Sequence, residues 1–420
     1  MSTTLFAENQ DNRDAEHSVR EIISNVTASE EKDVSIVDKF KKMFKKGKLN
    51  GNVRSIYSTF DNKNEVDTYA TAFGGSLKYE LAEYNGFNAG ARLRSTNDIS
   101  FATGKNDNHN PDLSSEKGVS NEVSEAYINY RYKDFNLRVG RQVIDTPLAD
   151  SDDIRMAPDT FEAYVVSYQS NDVSFVAAHL NAWQGYDAGL DNGWVKTGKD
   201  GVNFCGLTYS TKIIDASLWY YNISNASASD IANGADENGN NSIYADISGH
   251  FDINQELFLH LNVQYLNQKE LDKSGVQAEI YGTMAEIVFK DLSISGAYNH
   301  SAKQTAKRSF SGYGGGTLYT SMDTMILDEI TEDRDAEALV GSISYTLFDI
   351  NMLYAYGDFN GKANSLGKKE HIVAQNFGLA YETEGGLTLG TIYVLHDNKE
   401  DLDAAFYNGS NFRILASYNF

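Results

Sequence analysis

From Lys48 to the C-terminus the sequence has a period of two, and its alternating segments are joined by connections that are short and long in turn. Alternation of apolar and polar residues is the mark of a strand with one apolar face. Such segments fall at 49–60, 68–80, 87–97, 121–132, 135–143, 160–169, 172–182, 201–210 and 213–223. They continue at 242–251, 256–267, 275–290, 291–300, 339–348, 350–359, 371–382, 387–396 and 410–420. The count is eighteen, an even number. Short connections such as Lys133-Asp134, Lys290-Asp291 and Phe348-Asp349 alternate with long ones near 98–120, 144–159, 183–200, 224–241 and 301–338. Sorting of this kind predicts an antiparallel up-and-down barrel with turns at one rim and loops at the other. A two-sheet sandwich with Greek-key crossovers does not sort its connections so.

The faces of the segments are consistent with that. Leu257, Leu259, Leu261, Val263 and Tyr265 share one side of their strand, and Phe258, His260, Asn262 and Gln264 share the other. Similarly Ile243, Ala245, Ile247 and Phe251 oppose Tyr244, Asp246, Ser248 and His250. A water-soluble sandwich also alternates, so size decides. Eighteen strands enclose an aqueous lumen rather than a filled core, which turns the polar face inward and the apolar face to lipid. With 26 tyrosines and 34 glycines against three prolines, the composition suits strands and membrane interfaces. No run approaches 18 apolar residues, so a transmembrane helix is excluded and a closed barrel is the remaining way across a bilayer. The last strand carries Phe412, Ile414, Ala416, Tyr418 and Phe420 on one face, an ending that resembles the assembly signal of outer-membrane barrels. The expected fold is all-β: an 18-stranded antiparallel transmembrane β-barrel with short periplasmic turns, long extracellular loops and a short helical N-terminal arm.

Two regions follow, an N-terminal periplasmic arm over 1–46 and the barrel over 47–420. Within 16–46, Val19, Ile22, Ile23 and Val26 have helical spacing, as do Val37, Phe40 and Phe44. The second group ends in the basic amphipathic stretch KFKKMFKKGK, suited to anionic head groups, to plugging a pore, or to docking by its apolar stripe. MSTTLFAE has neither the basic nor the apolar region of a signal peptide. Leu5-Phe6-Ala7 reads instead as the tail of a cleaved signal. The net charge is −23, and the excess lies in 51–420, where 50 acidic residues face 27 basic ones. Such a balance argues against nucleic acid as a partner. Cys205, the lone cysteine, allows neither an intramolecular disulfide nor a structural zinc cluster and reads as a strand residue.

One connection differs from the rest. The stretch RVGRQVIDTPLADSDDIRMAPDTFEAYVVSY, Arg138 to Tyr168, enters and leaves as strand but has no period between. It holds Pro147 and Pro158 and the charges Asp145, Asp150, Asp152, Asp153 and Arg155. A loop this long is functional or disordered, and prolines with mixed-sign charge argue for a held shape. Arginines fall on the non-apolar faces of nearby strands: Arg54, Arg92, Arg94, Arg131 and Arg138. Arg141 is placed with them in a lumen basic ladder, although by strict alternation it belongs to the lipid face and so needs a bulge near Gly140 or a rim position. Fixed opposite charges across a narrow section make a selective pore, and a guanidinium grips a carboxylate in two places. The same arginines could instead pair with acids to hold the loop, with Glu125 a candidate partner of Arg131. The aspartates then form a solvated surface. Tyr127 suits either the lumen or an aromatic girdle.

Three stretches carry a resemblance: KGKLNGNVRSIYSTF, YATAFGGSLKYEL with its turn YNGF, and GRQVIDTPLADSDDIRMAPDTFEA. Together they resemble the OprD-type family of outer-membrane porins, especially the branch found in Campylobacter-like bacteria, over roughly 46–420. The resemblance implies an 18-stranded barrel that admits small solutes, often bearing carboxylate or amino-acid groups. It further implies that the third long loop folds into the lumen and that a ladder of basic wall side chains guides carboxylates. By strand count, 144–159 is that loop. The missing signal peptide and the long N-terminal extension depart from the pattern.

Catalytic chemistry has little support. SGYGGG, reaching Gly316, lacks the lysine and hydroxyl residue of a phosphate loop. The stretch from Asp236 to Asn240 has its glycine in the wrong place for an EF-hand. His179, His250, His260, His300, His371 and His396 are scattered singly, without ligand spacing, and no nucleophile motif is present. The expectation is a passive porin, not an enzyme, with no cofactor or metal. Its partners are outer-membrane lipid and small hydrophilic solutes or ions, with monomer and homotrimer both open. The alternatives are a surface or adhesin barrel with a plugged lumen and an outer-membrane enzyme.

Overall fold

The computed structural model describes residues 35–420 apart from 64, 154 and 402–407. Eighteen strands form the wall. They are β1 (Lys48–Asn62), β2 (Thr68–Glu80), β3 (Phe87–Asp98), β4 (Val119–Tyr132), β5 (Phe135–Gln142) and β6 (Thr160–Ser170). Next come β7 (Val173–Gln184), β8 (Val202–Ser210), β9 (Ile214–Ile223), β10 (Asn240–Asp252), β11 (Leu257–Glu270) and β12 (Ala278–Phe289). The ring is completed by β13 (Leu292–Ser301), β14 (Ala336–Leu347), β15 (Ile350–Gly361), β16 (Glu370–Glu382), β17 (Leu387–Asn398) and β18 (Asn408–Asn419). Each pairs antiparallel with its neighbours in sequence, and β1 closes the ring on β18 with Tyr57 opposite Ile414.

Turn chemistry explains the short rim. Phe348 and Asp349 both take left-handed φ, 51° and 63°, and join β14 to β15 directly. Two such residues in succession match the right-handed twist of the strands they connect. Lys133, Asn171 and Lys290 also have positive φ at this rim. Side-chain exposure is inverted relative to a water-soluble protein. On β11, Leu261 and Val263 are 44% and 50% exposed, whereas Asn262 and Gln264 are 8% and 5% exposed. Apolar outside and polar inside is the pattern that lipid selects. Phe87 against Tyr130 (4.5 Å between centroids) and Phe135 against Tyr168 (5.7 Å) supply part of the periplasmic aromatic girdle.

Two bulges break strict alternation. Between Arg92 and Leu93 the β3–β4 register slips, leaving Ser124 as the extra residue, so that Glu122 and Glu125 both pair with inward-facing arginines. A second slip lies between Glu162 and Ala163, where Asn181 is extra. A bulge bends the strand and re-aims side chains; the first lies in the middle of β3 and the second near the loop ends of β6 and β7.

Of the N-terminal arm, the described part is α1 (Ile36–Lys45), capped by Ser35, whose hydroxyl accepts from the Asp38 amide. The helix expected earlier in the chain, around Val19–Val26, lies outside the described residues. A short helix α2 (Ala228–Ile231) sits in the loop after β9. Two long loops turn inward and build a packed core with the wall: Leu148, Phe161, Leu180, Tyr221, Tyr313 and Leu327 are all buried in one cluster.

The lipid-facing assignment predicts an asymmetry between neighbouring strands. Val263→Arg should cost about 2–4 kcal/mol in equilibrium unfolding from bilayers. Ser248→Arg, on the lumen face of β10, should cost far less in the same titration.

Candidate functional site

The loop between β5 and β6, third of the long loops (L3, 143–159), is the first part of the site. It begins as a tight hairpin, Asp145-Thr146 pairing with Ala149-Asp150. Ser151 closes it, its amide donating to Ile144 O at 2.8 Å. From there the chain reaches both sides of the ring. The Arg54 guanidinium on β1 forks onto the Asp153 carboxylate, donates to Asp153 Oδ2 at 2.8 Å and also to Arg155 O at 2.6 Å. Arg94 on β3 donates to Pro158 O at 2.5 Å and pairs with Glu122. At the other end, the Leu148 amide donates to the Tyr221 hydroxyl on β9 at 3.3 Å. β1 and β9 lie eight strands apart in a ring of eighteen. A loop that touches both spans the lumen.

The loop between β13 and β14 (L7, 302–335) is the second part. The Asp150 amide donates to Tyr313 O at 2.9 Å and the Tyr313 amide to Leu148 O at 3.0 Å. Thr317 donates its hydroxyl to Pro147 O. The glycine-rich SGYGGG stretch thus lies backbone to backbone on L3. A Cβ at Gly312, where φ is 102°, would stand 2.8 Å from the Leu148 Cα, and one at Gly314 would meet Asp150 O. Glycine there is a packing requirement. Farther along L7, Asp323 pairs with Arg413 on β18.

Arg155 joins four loops. It is 2% exposed, with its guanidinium 4.8 Å from the Tyr186 ring centroid. Burial alone would lower its pKa, but Tyr186, Asp323, Asp112 and Asp187 around it more than reverse this and raise it. Burial, reinforced by Asp187, lifts Asp159 well above the usual carboxylate range. Burial likewise raises Asp150, with Asp145 beside it, to about 7, and Asp152, with Asp150 beside it, to about 7.

The arginines singled out by face separate into three groups. Arg54 and Arg94 are nearly buried and hold L3. Arg92 donates to Glu125 at 2.5 Å, and Lys78 joins the same carboxylate at 2.9 Å. Glu125, offered as a partner for Arg131, is thus held by Arg92 and Lys78, while Arg131 is exposed at the short rim. Arg138 lies 4.4 Å from the centroid of the Tyr127 ring, and Tyr127 itself is buried, facing inward with its hydroxyl on Glu80. Arg141, expected in the lumen ladder, stands instead on the outer face at the loop end of β5, 3.6 Å from Glu162 and over Trp194, because β5 keeps its register there and no bulge turns the side chain inward. Lys78, Glu122, Arg413 and Asp323 are participants that sequence reasoning missed. Arg413 has the same signal as the others, since it lies opposite Phe412 and Ile414 on its strand. Asp323 has none, because its loop has no period.

L3 and L7 leave space against β8–β10. A cavity of about 370 Å³ is bordered there by Asp145, Asp150, Ser217, Trp219, Tyr244 and Thr317. Carboxylates continue from it toward the periplasmic rim. Ser217 donates to Asp246 on β10. His250 Nε2 is 2.7 Å from Asp215, His260 is 3.4 Å from Glu286, and the two imidazole centroids are 4.9 Å apart. Among the described residues no group of three or more His, Cys, Asp or Glu is placed to hold a metal ion.

Comparison with known proteins identifies this architecture. The model of the outer membrane porin, OprD family, matches residues 89–333, more than half of the chain. The chain belongs to that family. Its structure is similar to that of Acinetobacter baumannii OccAB4 (TM-score 0.74, 16% identity, covering 89% of this chain and 98% of that one). It is also similar to Pseudomonas aeruginosa OccK1 (OpdK) (0.72, 15%, covering 90% and 99%) and to a BenF-like porin from Pseudomonas fluorescens Pf-5 (0.75, 13%, covering 90% and 99%). No curated protein matches the sequence. An outer-membrane porin for small solutes, in an 18-stranded barrel of the bacterial outer membrane, is what the family and the fold define.

The Arg54–Asp153 pair predicts unequal mutants. Asp153→Ala leaves a buried guanidinium without its carboxylate, which should weaken L3 docking by about 3–5 kcal/mol. Arg54→Ala leaves Asp153 able to reach water, because that side chain is 38% exposed. Single-channel recording should show the larger rise in open-channel noise and conductance for Asp153→Ala.

Proposed function

We propose that L3, with Asp145, Asp150, Asp152, Asp153 and Arg155, is the constriction of a passive channel, and that the channel prefers cations. The observation that carries this is a division of charge. Arg54, Arg94 and Arg413 are taken up by Asp153, Glu122, Asp323 and loop carbonyls. Asp145 and Asp150, by contrast, border the open cavity, and Asp246 and Asp215 follow below. Fixed charge selects only near the narrow section, because salt screens anything farther than about 8 Å away at physiological ionic strength. The wall arginines then serve mainly to hold the loop, and the passing ion meets carboxylates, hydroxyls and the rings of Trp219 and Tyr244.

A preference for carboxylate-bearing or amino-acid-like solutes is the contrasting reading. It is favoured by Arg92, which keeps 31% side-chain exposure while bound to Glu125. The similar structure of Pseudomonas aeruginosa OpdK has been solved with vanillate.

The two readings differ in one measurement, the reversal potential in a salt gradient at pH 8 and pH 5. Asp150 and Asp152, with pKa raised to about 7, lose charge as pH falls through 7. Cation preference should therefore be stronger at pH 8, and Asp145→Asn with Asp150→Asn should reduce it severalfold and flatten the pH dependence. Arg92→Ala, which leaves the loop anchors Arg54 and Arg94 in place, should change it little. A large shift in the arginine variant with none in the aspartate variant would establish the carboxylate-guiding reading instead, and absence of conductance in folded protein would remove both.

A further inference from the structure

α1 carries an apolar face that the barrel does not cover. At 100° per residue, Ile36, Val37, Phe40, Met43 and Phe44 fall within an arc of about 120°. Lys39, Lys41, Lys42 and Lys45 occupy the rest, with Asp38 the one acid. Met43 is buried, but Ile36, Val37, Phe40 and Phe44 are 74%, 61%, 54% and 57% exposed. A contiguous apolar stripe left open on a helix marks a contact with a partner or a membrane.

The place of the helix decides between them. The Ala82 amide donates to Met43 O at 3.2 Å, and the Tyr79 hydroxyl donates to Phe44 O. The Phe44 ring stacks on Tyr79 with centroids 6.4 Å apart, and the Lys39 ammonium lies 5.4 Å from the centroid of Tyr84. These contacts tie α1 to the end of β2 and the turn after it, at the periplasmic rim. Tyr79 shares the parity of Tyr69, Phe73 and Leu77, which are exposed on the lipid-facing side of β2. Leu49, just after the helix, is exposed as well. The stripe is thus continuous with the edge of the lipid belt, and the lysines on the opposite arc have the sign that anionic head groups attract. An apolar face backed by lysines is the construction of a helix that lies in the plane of a membrane interface.

We propose that α1 is an interfacial anchor. It lies in the periplasmic leaflet with Val37, Phe40 and Phe44 among the acyl chains and its lysines in the head-group layer, and it favours anionic phospholipid. This role is separate from conduction through the lumen.

The test uses the full chain with Cys205→Ser, one barrel per nanodisc, in phosphatidylcholine with and without phosphatidylglycerol. A fluorophore is placed at Val37→Cys or at Lys42→Cys. The expected result is severalfold stronger quenching by a doxyl-labelled lipid at 37 than at 42, the reverse for aqueous iodide, and a contrast that grows with phosphatidylglycerol. Combined Lys41→Glu, Lys42→Glu and Lys45→Glu, read with the label at 37, should abolish the dependence on phosphatidylglycerol and leave conductance unchanged. Equal access of iodide to 37 and 42 in phosphatidylglycerol overturns the anchor. A contrast independent of phosphatidylglycerol overturns its lipid preference. Protection of 37 that occurs only with two barrels per disc assigns the stripe to a second copy of this chain.

Discussion

A backbone that crosses hydrocarbon finds no water to satisfy its N–H and C=O groups, and the rest of the structure depends on that constraint. A sheet meets it only by closing on itself, which here takes eighteen strands and the pairing of β1 with β18. Closure at that size leaves a lumen too wide for wall side chains to fill. The chain fills it with its own loops, and L3 and L7 crossing the interior are a consequence of strand number. Their backbones would in turn be unsatisfied if they merely lay side by side. They pair instead, Asp150 with Tyr313 and Tyr313 with Leu148, and the glycines of L7 allow the approach.

Charge then divides the interior. Loops that cross a water-filled barrel need fixed points, and buried guanidinium groups provide them with several donors in one plane. Arg54, Arg94 and Arg413 all stand on β1 and its near neighbours β3 and β18, and each holds a carboxylate or loop carbonyl. The loops are fixed to that part of the wall and reach across to Tyr221 on β9, and the cavity bordered by Asp145 and Asp150 lies between them and β8–β10. In this account the acidic character of the passage follows from the position of the anchors, because the carboxylates not needed for anchoring are those that face the open side.

Much of this was legible in the sequence. The strand count, the sorting of turns and loops and the bounds of L3 all follow from a period of two, which the lipid–water alternation enforces residue by residue. The faces of Arg54, Arg92, Arg94 and Arg138 were legible for the same reason, whereas Arg141, placed in the lumen ladder against its parity, stands on the outer face. Partner choice was not. Glu125 meets Arg92 and Lys78, and Glu122 meets Arg94, because a bulge at Ser124 changes the parity of β4, and one extra residue leaves little trace in a hydrophobic pattern. L7 was opaque for a different reason. Its glycines were visible as composition, but their use depends on Leu148 and Asp150, more than 160 residues away, and no local period connects the two.

The proposed channel has its passage along the β8–β10 side and is closed on the Arg54 side by the anchored loop. Thiol modification during single-channel recording tests it most directly, in a Cys205→Ser background with a cationic methanethiosulfonate reagent. Thr208→Cys, at the edge of the open cavity, should react and reduce the current. Ile56→Cys, inward-facing on β1 but 3% exposed beside the anchored loop, should not. Equal reduction at both positions, or reduction at Ile56→Cys alone, would place the passage on the Arg54 side or on both.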